Sequence, residues 1–282
     1  MKDLPIRTLV AIGLLGLLAA VLFFGGWVQA GVLGLFSALA VFEMRDVFRA
    51  REKAPFVLPQ AILGASMFAV LYLFGPAWVV CEFFLAFVAV AIERILSRTR
   101  TNADLVSSLF ILLYPLAPLL FLGLIGFDTA QGYSRLALIL IFAGVVMADN
   151  TAYMLGSLIG KHKLCPSISP NKTVEGAVGG LVGGALGGVI AYYAQLLFKG
   201  AEPVPMLILA AICFLGGLLG QFGDLFASTF KRWAGVKDFG KIFPGHGGVI
   251  DRLDSALFAA PFVFFALMLL SCLGAIGAYP VF

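Results

Sequence analysis

Apolar residues in this chain come in long runs, separated by shorter polar segments. A helix crosses the hydrocarbon core of a bilayer with about 20 apolar residues. That ruler marks nine runs, roughly 8–24, 27–42, 56–75, 76–92, 105–127, 136–156, 174–198, 204–223 and 255–277. The pattern predicts an all-α, polytopic integral membrane protein of about nine transmembrane helices. The first run follows Lys2 and Arg7, as in a signal peptide. No small-residue cleavage site leads into a soluble domain, so this run is read as the first span. Gly25-Gly26, Phe74-Gly75-Pro76, 128–135 and 199–203 are short connections; the others are longer and basic.

Composition agrees. Of 282 residues, 61% are hydrophobic and 12% are charged, the latter about half the share usual in soluble domains. No soluble core hides that much apolar surface. The net charge of +4 matters less than its placement. With the N-terminus in the cytoplasm and sides alternating, cytoplasmic segments hold 17 of the 19 Lys and Arg residues. The opposite side keeps Arg135 and Lys199. The positive-inside rule favours this arrangement. It predicts a cytoplasmic N-terminus, a C-terminus on the opposite side, and chemistry facing the cytoplasm. Cys81, Cys165, Cys213 and Cys272 are scattered, three of them in apolar runs, so neither a disulfide framework nor a zinc site is expected. No nucleic-acid partner is expected.

Three regions follow: an N-terminal transmembrane scaffold at 1–104, a middle segment at 105–135, and a C-terminal catalytic region at 136–282 with cytoplasmic loops at 156–173 and 224–254. The seventh run carries a glycine ladder, Gly176, Gly180, Gly184 and Gly188, with Gly179, Gly183 and Gly187 beside it. Residues four apart share a helix face, and stripes of small residues let helices approach closely in lipid. The ladder is read as a packing face; such stripes also permit a homodimer.

Charge concentrates in Ser228–Asp254, STFKRWAGVKDFGKIFPGHGGVIDRLD. Lys231, Arg232, Lys237, Lys241 and Arg252 are interleaved there with Asp238, Asp251 and Asp254 around the turn Pro244-Gly245-His246-Gly247-Gly248. Topology signals or lipid anchors would explain the cations alone, but not the carboxylates among them. Gly247 and Gly248 allow close backbone approach to a ligand, and His246 can donate to a phosphate oxygen. Asp251 and Asp254 lie three apart at the start of run nine and share a helix face. Capping is one reading; a shared cation is the stronger one, because magnesium combines one or two carboxylates with substrate phosphate oxygens and water. Asp224, at the end of run eight, is the third candidate ligand. Glu82 and Asp149 are the other carboxylates within runs, where ionisable groups are costly and point to function; Glu82 is read as an interior polar contact or helix-pairing residue, and Asp149 has polar neighbours in Asn150, Thr151 and Tyr153. A second polar segment, Ser169-Pro-Asn171-Lys172-Thr173-Val-Glu175-Gly176, suits phosphate, sugar or base contacts.

The pattern S-x-x-K-R-x4-K-D-x6-G-H-G-G-x2-D-R-x-D from Ser228 to Asp254 resembles the signature of phosphatidate cytidylyltransferases, the CDP-diacylglycerol synthases. The segment S-P-N-K-T-x-E-G from Ser169 resembles that family too. The resemblance implies transfer of the cytidylyl group of CTP to phosphatidic acid in the bilayer, giving CDP-diacylglycerol and pyrophosphate, with Mg2+ and room for a second cation. On that reading Asp224, Asp251 and Asp254 hold metal. Lys231, Arg232, Lys237, Asp238, His246 and Arg252 complete the catalytic set. Ser169, Asn171, Lys172, Thr173, Glu175, Lys241, Gly247 and Gly248 bind substrate. Two other readings are a CTP-dependent polyprenol or phytol kinase, releasing CDP, and an ion-coupled transporter using Glu82, Asp149 and Asp224. The transporter predicts paired repeats, which the chain lacks.

Overall fold

The computed structural model describes residues 4–126, 133–197 and 203–277. The connections expected at 128–135 and 199–203, with Lys2 and Lys199, fall wholly or partly outside them. The chain is nearly all-α, and each of the nine apolar runs falls on helix. These are α1 (Leu4–Phe24), α2 (Gly26–Arg49), α3 (Leu58–Phe74), α4 (Pro76–Leu96), α5 (Asn102–Ile111), α6 (Ala117–Gly126), α7 (Tyr133–Ile159), α8 (Val174–Gln195), α9 (Met206–Ala234) and α10 (Ile250–Cys272). Seven helical segments are long and apolar enough to cross a membrane: α1, α2, α5 continued through α6, α7, α8, α9 and α10. Helix α3 is also apolar, at 17 residues.

Local chemistry sets the helix ends. Gly75, at φ 90°, separates α3 from α4, and Pro76 opens α4, where its missing N–H is harmless. Thr101 and Asp104 close a reciprocal capping box on α5, satisfying amides that a helix start leaves orphaned. Between α5 and α6 a π-type turn, Leu112–Leu116, contains Pro115 and an extended Tyr114. Proline interrupts the ladder of helical hydrogen bonds there.

The helical fold has one exception among the described residues. The loop expected at 156–173 contains a two-stranded antiparallel ladder, β1 (Lys163–Cys165) with β2 (Ser169–Thr173). Strands of three and five residues are too short to show periodicity among polar residues. Thr173 then caps α8, accepting from Gly176 N at 3.1 Å.

The described residues pack as two units. The first joins 4–126 to Phe230–Leu253. Its N-terminal helices pack backbone to backbone where α2 meets α3. A methyl on Gly34 would lie 3.1 Å from Ala65 O, and one on Gly64 3.1 Å from Ala38 N. In lipid such close packing, rather than escape from water, drives helix association. Met44, Val47 and Phe48 of α2 and Met67, Phe68 and Leu71 of α3 are buried. An aromatic cluster holds the last turn of α9 in this unit. Phe48 and Trp233 lie 5.8 Å apart between centroids, Phe110 and Phe230 5.0 Å, and Tyr114 and Phe230 6.3 Å. Arg51 Nε donates to Trp233 O.

The second unit comprises α7, the hairpin, α8, α9 through Thr229 and α10 from Asp254. The glycine face of α8 packs as expected. A methyl on Gly187 would sit 2.7 Å from Ala143 O of α7, and one on Gly184 2.6 Å from Cys213 O of α9. The ladder therefore serves two neighbours, one on each side.

Candidate active site

The second unit holds a cavity of about 550 Å³, within the range of small-molecule sites. The polar end of α7 contributes Asp149 and Tyr153, β2 contributes Asn171, Lys172 and Thr173, and α9 contributes Asp224. Lys172 Nζ lies 2.6 Å from Asp224 Oδ2, and Ser228 Oγ donates to Asp224 Oδ1 at 3.4 Å. The side chains of Lys172 and Asp224 are 27% and 31% exposed, so both stay within reach of a solute. Thr173 is buried at its cap, and Ser169 opens β2. Glu175 turns toward the hairpin. Its carboxylate accepts from Lys161 N at 3.1 Å and His162 N at 3.2 Å, and meets His162 Nδ1 at 2.6 Å. It ties the end of α7 to the start of α8.

The first unit holds the central loop. Asp251, in the first turn of α10, has a side chain only 3% exposed. Its Oδ2 accepts from Phe239 N at 2.7 Å and Gly248 N at 3.0 Å. Its Oδ1 faces Lys231 Nζ at 2.9 Å, and that ammonium also lies 5.5 Å from the centre of the Phe239 ring. A buried charge needs such pairing to persist. The expected glycine turn is present. Phe243 N donates to Gly247 O and His246 N to Phe243 O, with Gly245 at φ 73° and Gly247 at φ 84°. A methyl on Gly247 would lie 2.7 Å from Asp251 Oδ2, so glycine is needed both for the backbone angle and for the approach. His246 Nδ1 is buried without a hydrogen-bond partner. Arg232, Lys237, Asp238, Lys241 and Arg252 are exposed.

Asp254 belongs to the second unit. Its Oδ1 accepts from Ser255 N at 2.8 Å, and a methyl on Gly223 of α9 would strike its carbonyl oxygen. Thus Lys172 joins Asp224 in one unit, and Lys231 joins Asp251 in the other.

Among the described residues, no three His, Cys, Asp or Glu side chains are grouped as a metal cage. Single carboxylates remain suited to a cation. Asp251 spends Oδ2 on two amides and turns Oδ1 to an ammonium; Asp224 Oδ2 likewise faces an ammonium. In both, a lysine already supplies positive charge at that oxygen; carboxylate oxygens are the donor type that Mg2+ takes.

Two residues gain importance over the sequence reading. Asp149 lines the cavity that Lys172 and Asp224 also line. Glu43 of α2, outside the apolar run drawn at 27–42, is 4% exposed and accepts from Val249 N at 2.8 Å and Ile250 N at 2.9 Å. The signal for Glu43 was available: an acid flush against an apolar run is suspect on the same grounds as Glu82.

Known proteins are similar to this chain in sequence. A phosphatidate cytidylyltransferase of Bacillus subtilis (strain 168) is 46% identical over 136 residues, which cover 47% of this chain and 48% of that protein. Phosphatidate cytidylyltransferases of Staphylococcus saprophyticus and Staphylococcus haemolyticus are 44% and 42% identical over 120 residues, 43% of this chain and 44% of theirs. The chain thus spans about half the length of these relatives, or slightly less. The sequence profile of the Cytidylyltransferase family matches residues 5–270, nearly the whole chain, and the protein belongs to that family.

Proposed function

We propose that this membrane protein transfers the cytidylyl group of CTP to phosphatidic acid, forming CDP-diacylglycerol and releasing pyrophosphate. The observation that carries the reading is the pair of lysine-bound aspartates, Lys172–Asp224 and Lys231–Asp251, each on a polar segment bordering long apolar helices. That chemistry suits two phosphorylated substrates, one of them a lipid. The family membership and the names of the relatives support it.

In the reaction, a phosphate oxygen of phosphatidic acid attacks the α-phosphorus of CTP. The bond to the bridging oxygen breaks, and pyrophosphate leaves with that electron pair. The nucleophile is already anionic, so positioning and charge neutralisation supply most of the catalysis. Lys172 and Asn171 reach triphosphate oxygens from the hairpin side. Lys231, Arg232, Lys237, Lys241, His246 and Arg252 neutralise phosphate charge from the central loop. Asp238 orders the cations around it. Ser169, Thr173 and Glu175 hold the hairpin, while Gly247 and Gly248 leave room for the Asp251 and Glu43 carboxylates that fix the central loop. The carboxylates that would meet Mg2+, with or without a second cation, are Asp224 and Asp254 in one unit and, separately, Asp251 in the other. When bound, the metal neutralises charge on the phosphates as a Lewis acid. The acyl chains remain in the bilayer.

The same reading places nine spans in a bacterial inner membrane, with N-terminus and site on the cytoplasmic side. The glycine faces are compatible with a homodimer.

Product analysis tests the reading. Purified protein in detergent receives phosphatidic acid, Mg2+ and CTP labelled at the α- or γ-phosphorus. The expected result is α-label in lipid and γ-label in pyrophosphate. Label from the γ-position in lipid would make the protein a kinase and overturn the proposal.

A further inference from the structure

Glu43 lies in the N-terminal part of the chain, 206 residues in sequence before the nearer of its two hydrogen-bond donors. Its two carboxylate oxygens each take one amide, Oε1 from Val249 and Oε2 from Ile250. These amides lie at the N-terminus of α10, where a helix leaves its first N–H groups without internal partners. A carboxylate at that end also meets the positive end of the helix dipole. Most helices obtain such a cap from their own preceding residue; α10 obtains one from another helix.

The loop is shaped around this carboxylate. A methyl on Gly240 would lie 2.5 Å from Glu43 Oε1, and one on Gly248 would strike the same oxygen. Three consecutive amides then divide between two acids. Gly248 N goes to Asp251, and Val249 N and Ile250 N go to Glu43. Since Phe239 N also goes to Asp251, both ends of the 239–248 loop are tied to that carboxylate, and Glu43 takes the two amides that follow. Met44 and Val47 beside Glu43 are buried, so the clamp is fixed to a packed helix.

We propose that Glu43 is a positioning residue for the transfer reaction: it clamps the central loop and the start of α10, and so holds Asp251 and Lys231 in their working geometry. This rests on the cytidylyl-transfer reading above. Glu43 touches no substrate; it acts through the backbone of residues 248–250.

The test compares wild type with Glu43→Gln and Glu43→Asp in detergent with phosphatidic acid, Mg2+ and CTP. Gln keeps the size but turns one acceptor into a donor aimed at an amide N–H. The expected result for Glu43→Gln is a fall in kcat of tenfold or more, with KM for CTP within about threefold and little change in melting temperature. Glu43→Asp keeps the charge on a shorter arm and is expected to recover part of kcat. Hydrogen exchange supplies a second readout independent of turnover. The amides of residues 239–250 are expected to exchange at least tenfold faster in Glu43→Gln, while those of α3 stay unchanged. Normal kcat in Glu43→Gln, unchanged exchange at 249–250, or a loss of activity that only follows global unfolding would each overturn the proposal. A wild-type protein that transfers no cytidylyl group would instead sink the functional reading, and the exchange experiment would still decide whether Glu43 clamps the loop.

Discussion

Asp224 and Asp251 each pair with a lysine, yet they are held in opposite ways. Asp224 is nearly one-third exposed and is met by side chains alone, Lys172 and Ser228. Asp251 is buried and takes two backbone amides besides Lys231. Side-chain partners on a hairpin can rearrange when a substrate arrives. Backbone amides in a glycine-rich turn cannot move without moving the loop. One carboxylate is therefore poised to exchange partners, while the other is pre-organised and structural in its own right.

Four substitutions put that contrast to the test. Asp251→Asn carries the largest effect. Turnover is expected to become undetectable, and stability to fall by about 2–3 kcal/mol, because a buried ammonium and two amides lose their shared acceptor. Labelled-product assay and thermal unfolding measure both, and normal unfolding would refute the structural half. Asp224→Asn comes next, with turnover down about a hundredfold or more, a loss of about 3 kcal/mol in transition-state stabilisation. Its melting temperature should stay close to wild type, since a pair this exposed contributes only about 0–1 kcal/mol. Lys231→Met leaves the Asp251 charge buried on two amides; about 1–3 kcal/mol of stability should go with it, read as earlier unfolding in detergent. Lys172→Met is the mildest. Stability should change by less than about 0.5 kcal/mol, and initial-rate kinetics should show a raised KM for CTP. Equal losses of stability in the two lysine variants would erase the contrast.

Much of this was legible in one dimension. Apolar runs mark every helix because a bilayer demands long uninterrupted stretches, and the glycine face of α8 is visible because its spacing repeats. The Gly245–Gly248 turn announces itself through residues that tolerate positive φ. What escaped the sequence is what depends on contact between distant segments. Glu43 lies in the region read as scaffold; its place beside an apolar run was a hint, but its partners, amides more than 200 positions away, could not be read from that. The β1–β2 ladder escaped because polar strands of three and five residues carry no period. Asp251 and Asp254 read as a pair on one helix face, yet the first belongs to the N-terminal unit and the second to the other. Helical spacing describes a face; it does not say which neighbour each side chain meets. Glu175 shows the same limit: its neighbours Asn171 and Lys172 line the cavity, whereas it grips the hairpin.

The discontinuity of the first unit has a consequence for how the protein is made. Residues 4–126 emerge from the ribosome first, but their partner segment begins only at Phe230. At about 5–20 residues per second, the intervening stretch takes on the order of 10 seconds to synthesise. Through that interval Phe48, Phe110 and Tyr114 lack the rings of Phe230 and Trp233, and the Glu43 carboxylate lacks its two amides. The nascent membrane protein must therefore wait in a half-built state until the late segment docks. Arrest of translation between residues 127 and 230 would leave a buried acid bare at its most vulnerable stage, a natural moment for a membrane chaperone or quality-control protease to act.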